Sequence, residues 1–324
     1  MASHIAHLLF AEESATRAGM SLDRTVPLYV LGAQGPDLFL HSQRRKPRAI
    51  QYGGLFHRKG FGSLVARLAE GSRDATAYAA GFLTHIVLDR RSHPFINYFA
   101  GWWDRDRPET KAYQQMHPFL ERLIDVELLQ RREGIHPKEI AFHRLVDCGS
   151  ELPESFLREL CDALRKSVDS AARDRELRER VRNAYADSLG YYRHTSGVDE
   201  AYLREARRRE ETGEISDRWL SLVHPPSLPY ELDVLNLSHR KWCHPCDSTL
   251  DSQDSFLDLW QRGVPQAASL LETLSEGDTV KLEREIGDRN LNDGIYGATP
   301  CRRRHMGPLP LRELYDQIRK GAGS

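Results

Sequence analysis

Residues 81–95, GFLTHIVLDRRSHPF, place three ionisable side chains in an apolar run: His85, Asp89 and His93 recur at every fourth position. On a helix that spacing forms one continuous stripe, drifting about 40° per step, so all three face the same neighbour. Burying such groups is costly unless they are paired, so the fold must supply the stripe with a partner. Two partners meet the requirement. A divalent cation takes imidazole and carboxylate together. Alternatively, the histidines are hydrogen-bonded core residues and Asp89 pairs with Arg90 or Arg91.

The pattern returns downstream. In MHPFLERLID, residues 116–125, His117 and Glu121 lie four apart and Asp125 follows one turn later. Two antiparallel helices that each present His and acid at i,i+4 can meet face to face, as in di-metal carboxylate bundles. The segment GPDLF adds Asp37 after a Gly-Pro break, and LFHRKG adds His57 between apolar residues and glycines. His7 lies beside Leu8 and Leu9 on the first predicted helix. So many ionisable groups on apolar segments call for a shared cation.

Apolar periodicity predicts helices over 3–19, 74–93, 108–132, 151–192, 199–214, 253–275 and 310–320. Asp74 is the expected cap of the second helix and Pro94 its expected stop, while Pro108 suits the first turn of the third. DEAYLREARRREETGE, 199–214, reads as a solvated helix laced with ion pairs, and HPPSLPY, 224–230, as a loop. No strand pattern is strong enough to build a sheet. The expected class is all-α, one domain over 1–324. Residues 1–130 carry the metal-binding segments, and 150–324 add helices packed on them.

Composition narrows the function classes. At 324 residues, 40% of them hydrophobic and 29% charged, the chain can bury a full core. Its net charge of −1 gives no reason to expect a stable nucleic-acid complex. No run approaches the ~20 apolar residues of a membrane span. MASHIAHLLFAEES lacks a basic start and a cleavage site, and reads as a mature N-terminus. The five cysteines, Cys148, Cys161, Cys243, Cys246 and Cys301, are odd in number and scattered, so unpaired thiols in a reducing cytoplasm are expected. CHPC, 243–246, offers a thiolate pair, but no second pair completes a structural zinc site.

Taken in order, AHLLF (6–10), LGAQGPDLF (31–39), LFHRKG (55–60), GFLTHIVLDRRSHPF (81–95) and HPFLERLID (117–125) resemble the metal-binding segments of the zinc-dependent phospholipase C family. LNLSHRKWCHP, 235–245, looks like a further family segment. The resemblance implies an all-α fold shared with certain single-strand nucleases, holding two or three zinc ions, with other divalent metals possible. It assigns one metal to Asp37, His57, His85 and Asp89, and a second to His93, His117 and Glu121. A third would sit near His7, bridged by Asp89 and completed by His4 or water. Asp125 would orient a ligand imidazole. The lipid-docking β-sandwich of some members has no counterpart here.

Such a cluster suits phosphoester hydrolysis by a metal-bound hydroxide, with Asp37, Asp89 and Glu121 as the catalytic carboxylates and activity falling in acid. The expected activity is that of a phosphodiesterase; a nuclease or nucleotide phosphoesterase, or a scaffold with structural metals, are the alternatives. Arg44, Arg45, Lys46 and Arg48 form a basic loop, and Arg302, Arg303, Arg304 and His305 a second basic run. Each reads either as solvated surface or as a contact for substrate phosphate. FINYFAGWWD, 95–104, reads as core packing or as an aromatic rim for peripheral membrane contact.

Overall fold

Fifteen helices carry the fold in the computed structural model, which describes residues 3–195, 200–213, 218–226, 228, 232–295 and 297–320. They are α1 (His4–Arg17), α2 (Pro27–Ala33), α3 (Asp37–Leu40), α4 (Ile50–Phe56), α5 (Phe61–Ala69), α6 (Arg73–Ala100), α7 (Met116–Glu133) and α8 (Phe142–Leu145). Then follow α9 (Glu154–Ser167), α10 (Asp169–Ala172), α11 (Leu177–Thr195), α12 (Glu200–Glu211), α13 (Phe256–Glu276), α14 (Thr279–Ile286) and α15 (Leu311–Lys320). The class is all-α. One small antiparallel hairpin, β1 (Trp242–His244) with β2 (Asp247–Ser252), departs from the expectation of no strands.

The 28-residue α6 is the axis of the packing, meeting α1, α2, α5, α7, α13 and β1. Its cap is Ser72, whose Oγ accepts from the Ala75 amide; Asp74, the expected cap, lies in the first turn, where a carboxylate complements the helix dipole. The helix also runs through Pro94 for six more residues instead of stopping before it. A proline inside a helix costs about 3 kcal/mol. The extra turns bury Phe95, Ile96 and Phe99, each worth roughly 1.5–3 kcal/mol, and so outweigh that cost. Phe95 and Phe99 stack against Trp242 of β1, with centroids 5.6 and 6.3 Å away. The FINYFAGWWD stretch is therefore divided: its first half is core, while Trp103 is 41% exposed.

Three glycines set the register between α2 and α6. A Cβ on Gly32 would lie 2.1 Å from the Tyr78 carbonyl oxygen, and one on Gly81 would lie 2.1 Å from that of Tyr29. The two backbones therefore touch. Gly35 takes φ +53°, and a Cβ there would fall 2.3 Å from the His85 ring. The turn GAQGPD thus makes room for one imidazole of the stripe and starts α3 with Asp37.

Other boundaries differ from the periodicity. The expected helix over 108–132 splits into a 3-10 turn, Pro108–Tyr113, and α7, because Gln115 adopts a left-handed φ of 73°. The expected helix over 151–192 is three pieces, α9, α10 and α11. Residues 199 and 214 of the charged segment, and Ser227, Pro229 and Tyr230 of the proline loop, lie outside the described residues. Cys246 and Cys301 form a disulfide with Cα atoms 6.1 Å apart, which corrects the expectation of unpaired thiols and leaves no Cys243–Cys246 thiolate pair. Their 55-residue separation carries no local signal. Among the described residues, no helix is long and apolar enough to cross a membrane.

Candidate metal centre

The stripe on α6 faces inward. His85, Asp89 and His93 are 0%, 2% and 6% exposed. Pairing of Asp89 with its neighbouring arginines does not occur: Arg90 bonds the Ile286, Gly287 and Arg289 carbonyls, and Arg91 bonds Gln266. Asp89 is surrounded instead by imidazoles. Its Oδ1 lies 3.2 Å from His7 Nε2, and its Oδ2 lies 3.0 Å from His85 Nε2 and 3.6 Å from both His57 Nε2 and His93 Nδ1.

The remaining candidate ligands converge on the same place. His57 Nε2 is 3.3 Å from Asp37 Oδ1, delivered by the first turn of α3. On α7, His117 Nε2 is 3.1 Å from Glu121 Oε1, which lies 3.8 Å from His93 Nε2 across the α6–α7 contact. Asp37, His57 and His85 form one group of mutually close ligand atoms; His7, His85 and Asp89 form a second, and His93, His117 and Glu121 a third. All eight residues assigned through the resemblance thus lie in one contiguous cluster, buried except for the half-buried His117.

The hydrogen bonds behind the rings decide what the pocket can hold. Four of the five imidazoles have a carbonyl oxygen opposite Nδ1, His7 being the exception: His57 faces Gly53 O at 2.8 Å, His85 faces Ala33 O at 3.3 Å, and His93 faces Leu291 O. His117 Nδ1 faces Asn97 Oδ1 at 3.1 Å, and the Asn97 amide is fixed because its Nδ2 donates to Asn292 O. A carbonyl oxygen only accepts, so all four rings carry their proton on Nδ1 and turn an Nε2 lone pair inward. Those lone pairs meet the Asp37, Asp89 and Glu121 carboxyl groups, of which Asp37 and Asp89, held ionised, only accept. Asp89 Oδ2, His85 Nε2 and Glu121 Oε2 are buried without a hydrogen bond. Acceptors packed against acceptors repel unless a cation lies among them, so these residues fit divalent metal ions.

Protonation follows the same logic. Desolvation lowers His7, His93 and His117, taking His93 down to about 4, so these rings are neutral and ready to ligate at pH 7. Burial alone would raise Asp37 and Asp89, yet nearby positive charge holds both well below the usual carboxylate range: the N-terminal charge and then His57 for Asp37, and the His85, His93 and His7 imidazoles for Asp89. Glu121, with desolvation dominant, is pushed up to about 7. His57 is raised despite its burial, chiefly by the Asp37 carboxylate.

A second polar cluster lies behind the first, and sequence reasoning missed most of it. Asp125 orients no imidazole of the centre. Its Oδ1 accepts from Ser3 Oγ and the Ala6 amide, and its Oδ2 from His224 Nε2 at 2.8 Å and Arg122 Nη1 at 3.2 Å. Arg122 Nη1 also lies 2.5 Å from His4 Nδ1. His4 therefore belongs to this cluster and not to the His7 group it was expected to complete; Met1 and Ala2 lie outside the described residues. The cation here is the protein's own guanidinium. Arg122 adjoins Glu121, about 100° further round α7, and so faces the other side. His224 comes from a loop that no periodicity could place.

Compared with family models, curated proteins and solved structures, the chain finds no match in any of the three.

The buried histidines outside the centre give a pH prediction. Burial pushes His224 down to about 4 and His41 to about 3, so the unfolded chain takes up their protons first. Their stabilising effect is complete above pH 6.5 and is lost as pH falls toward 4. For His224 the gap is worth about 3 kcal/mol. Glu121 acts in the opposite sense, losing stability as pH rises from 4.5 to about 7. His4, His7, His93 and His117 are lowered in the same sense as His41 and His224, so the rings together outweigh the one carboxyl and leave a net loss in acid. The melting temperature of chelator-treated protein should drop steeply between pH 6 and 4 and less so in His224→Gln; a flat profile would contradict neutral burial.

Proposed function

We propose that the chain is a metal-dependent phosphoester hydrolase, a phosphodiesterase resembling the zinc-dependent phospholipase C family. The observation that carries this reading is the convergence of four fixed Nε2 lone pairs on three buried carboxylates. Asp37, His57, His85 and Asp89 would hold one metal, His93, His117 and Glu121 a second, and His7 with Asp89 a third. Bound there, divalent ions polarise phosphoryl oxygens and lower the pKa of water toward 7.

The chain's own residues do the rest. Asp89 faces His7 through Oδ1 and His85 through Oδ2, so one carboxylate would serve the metals held by both ligand groups. Asp37, whose carboxyl is held well below the usual carboxylate range, would be the proton acceptor for the attacking water. Each Nδ1–H···O=C bond locks its ring, so the donor set is arranged before metal arrives. Zinc suits His and carboxylate, although manganese, iron or nickel would also enter. The Cys246–Cys301 disulfide favours an oxidising compartment over the expected cytoplasm.

Elemental analysis of purified protein should find two or three divalent ions per chain. The loaded protein should cleave bis(p-nitrophenyl) phosphate, and chelation should abolish the cleavage. Phosphatidylcholine vesicles and a single-stranded oligonucleotide then compete as substrates: preference for the second would make the enzyme a nuclease. Full metal occupancy with no turnover of any phosphoester would leave a scaffold with structural metals.

A further inference from the structure

The basic run at 302–305 is not absorbed by the metal centre, and one of its members differs from the rest. Arg302 and Arg304 are exposed, whereas Arg303 is half-buried. Its guanidinium lies 6.0 Å from the Trp102 ring centroid, at the limit of a cation–π contact. Among the described residues it makes no hydrogen bond and no ion pair. Burial pushes its pKa down, and only the charge of Asp293 opposes that. The guanidinium is thus partly stripped of water without a carboxylate to replace it.

The backbone that carries Arg303 is tied to the metal centre. Within this C-terminal strap, the Leu291 carbonyl accepts from His93, the Leu291 amide donates to the His57 carbonyl, and the Asn292 carbonyl receives Asn97, which orients His117. Asp293 then accepts from the Cys301 amide at 2.8 Å. Cys301 is bonded to Cys246, and the Arg304 amide donates to Pro245 O at 2.6 Å, so the backbone is anchored to the turn of the β1–β2 hairpin two residues before Arg303 and one after it. Trp102, beside the Arg303 guanidinium, follows the end of α6, five residues beyond the Asn97 that orients His117.

We propose that Arg303 grips a non-bridging oxygen of a phosphoryl group entering the metal centre, and that the Cys246–Cys301 strap holds it in position. This rests on the metal-centre reading above and adds to it a recognition residue that does not ligate metal. A guanidinium lying over an aromatic ring leaves its N–H edge free for a tetrahedral oxyanion, and a site partly shielded from water strengthens the contact. The anion supplies the acceptors that Arg303 lacks. The cost of desolvating it is then recovered only when a phosphate is present.

Inorganic phosphate is the probe, titrated calorimetrically into metal-loaded protein whose metal content is measured in parallel. Arg303→Gln should weaken phosphate binding by roughly ten- to a hundredfold with the metal count unchanged. Arg303→Lys, which keeps the charge without the fork, should lose less, and it also serves if the glutamine variant fails to fold. Arg302→Gln should bind as wild type does. Wild-type phosphate affinity in Arg303→Gln at full metal content overturns this inference alone. A wild-type chain that takes up no divalent metal overturns the metal-centre reading, and this inference with it.

Discussion

Asp89→Ala is expected to lower the bound metal by at least one ion per chain and to cut phosphodiester hydrolysis on the order of 10³-fold. The reason lies in how many partners one carboxylate serves. Asp89 is buried, and its two oxygens sit 3.0–3.6 Å from nitrogens of His7, His57, His85 and His93. Among the described residues, Asp89 is the carboxylate that lies within ion-pair distance of both His7 and His57. Without it, two metal positions lose their common anion, and neighbouring cations repel with nothing between them. Asp89→Asn keeps the shape and removes the charge, so it should lose nearly as much activity. Glu121→Gln should instead empty only the position shared with His93 and His117. Elemental analysis separates these outcomes. An Asp89→Ala protein with full metal content and wild-type rate would mean the ligand atoms converge for some other purpose.

How far the site could be foreseen depends on the kind of contact. His85, Asp89 and His93 were legible because helical periodicity turns a separation of four residues into a shared face, and His117 with Glu121 followed the same rule. Asp37 opens the four-residue α3 and His57 follows the last residue of α4, short elements in which spacing carries no geometry, and only the resemblance placed them. The second polar cluster was not legible. His224 meets Asp125 from 99 residues away, and Leu291 reaches His93 across 198. Such pairings are decided by tertiary packing.

The fold shows the same division. Local rules located most helices, yet Pro94 did not end α6, because the aromatic surface beyond it had a hairpin to pack on. Gln115 broke the next helix through a left-handed φ that no propensity assigns to glutamine. The Arg44–Arg48 loop proved to be surface. Its arginine side chains are exposed, and its backbone is pinned where the amides of Arg44 and Arg45 donate to Asp187. The disulfide, joining segments 55 residues apart, belongs with the long-range contacts.

The largest stability loss should come from Asp125→Ala, at about 3–5 kcal/mol, or a fall in melting temperature of roughly 10 °C. Arg122 is fully buried, and Asp125 is the acid beside it, 3.2 Å away. Burial alone would raise the Asp125 carboxyl; hydrogen bonds from His224 and Ser3 and the charge of Arg122 hold it down, so the pair is ionised. Truncation removes the carboxylate beside a buried guanidinium, leaving it neutral partners such as the Tyr191 hydroxyl, and frees the Ala6 amide and the Ser3 hydroxyl at the start of α1. His7 lies one turn further along, so the His7 group of ligands should loosen too, with metal lost there before the His93 group. Removing both charges, as Arg122→Met with Asp125→Leu, should restore much of the stability, because a buried ion pair seldom outperforms apolar residues of similar volume. It would not restore the anchor on α1, so recovered melting temperature with still-weakened metal binding is the expected signature. Chemical denaturation of the three proteins, read with metal content, measures both effects. A single-variant loss below about 1 kcal/mol would mean that water reaches Arg122 once the carboxylate is gone, and that α1 is held in register by its apolar face alone.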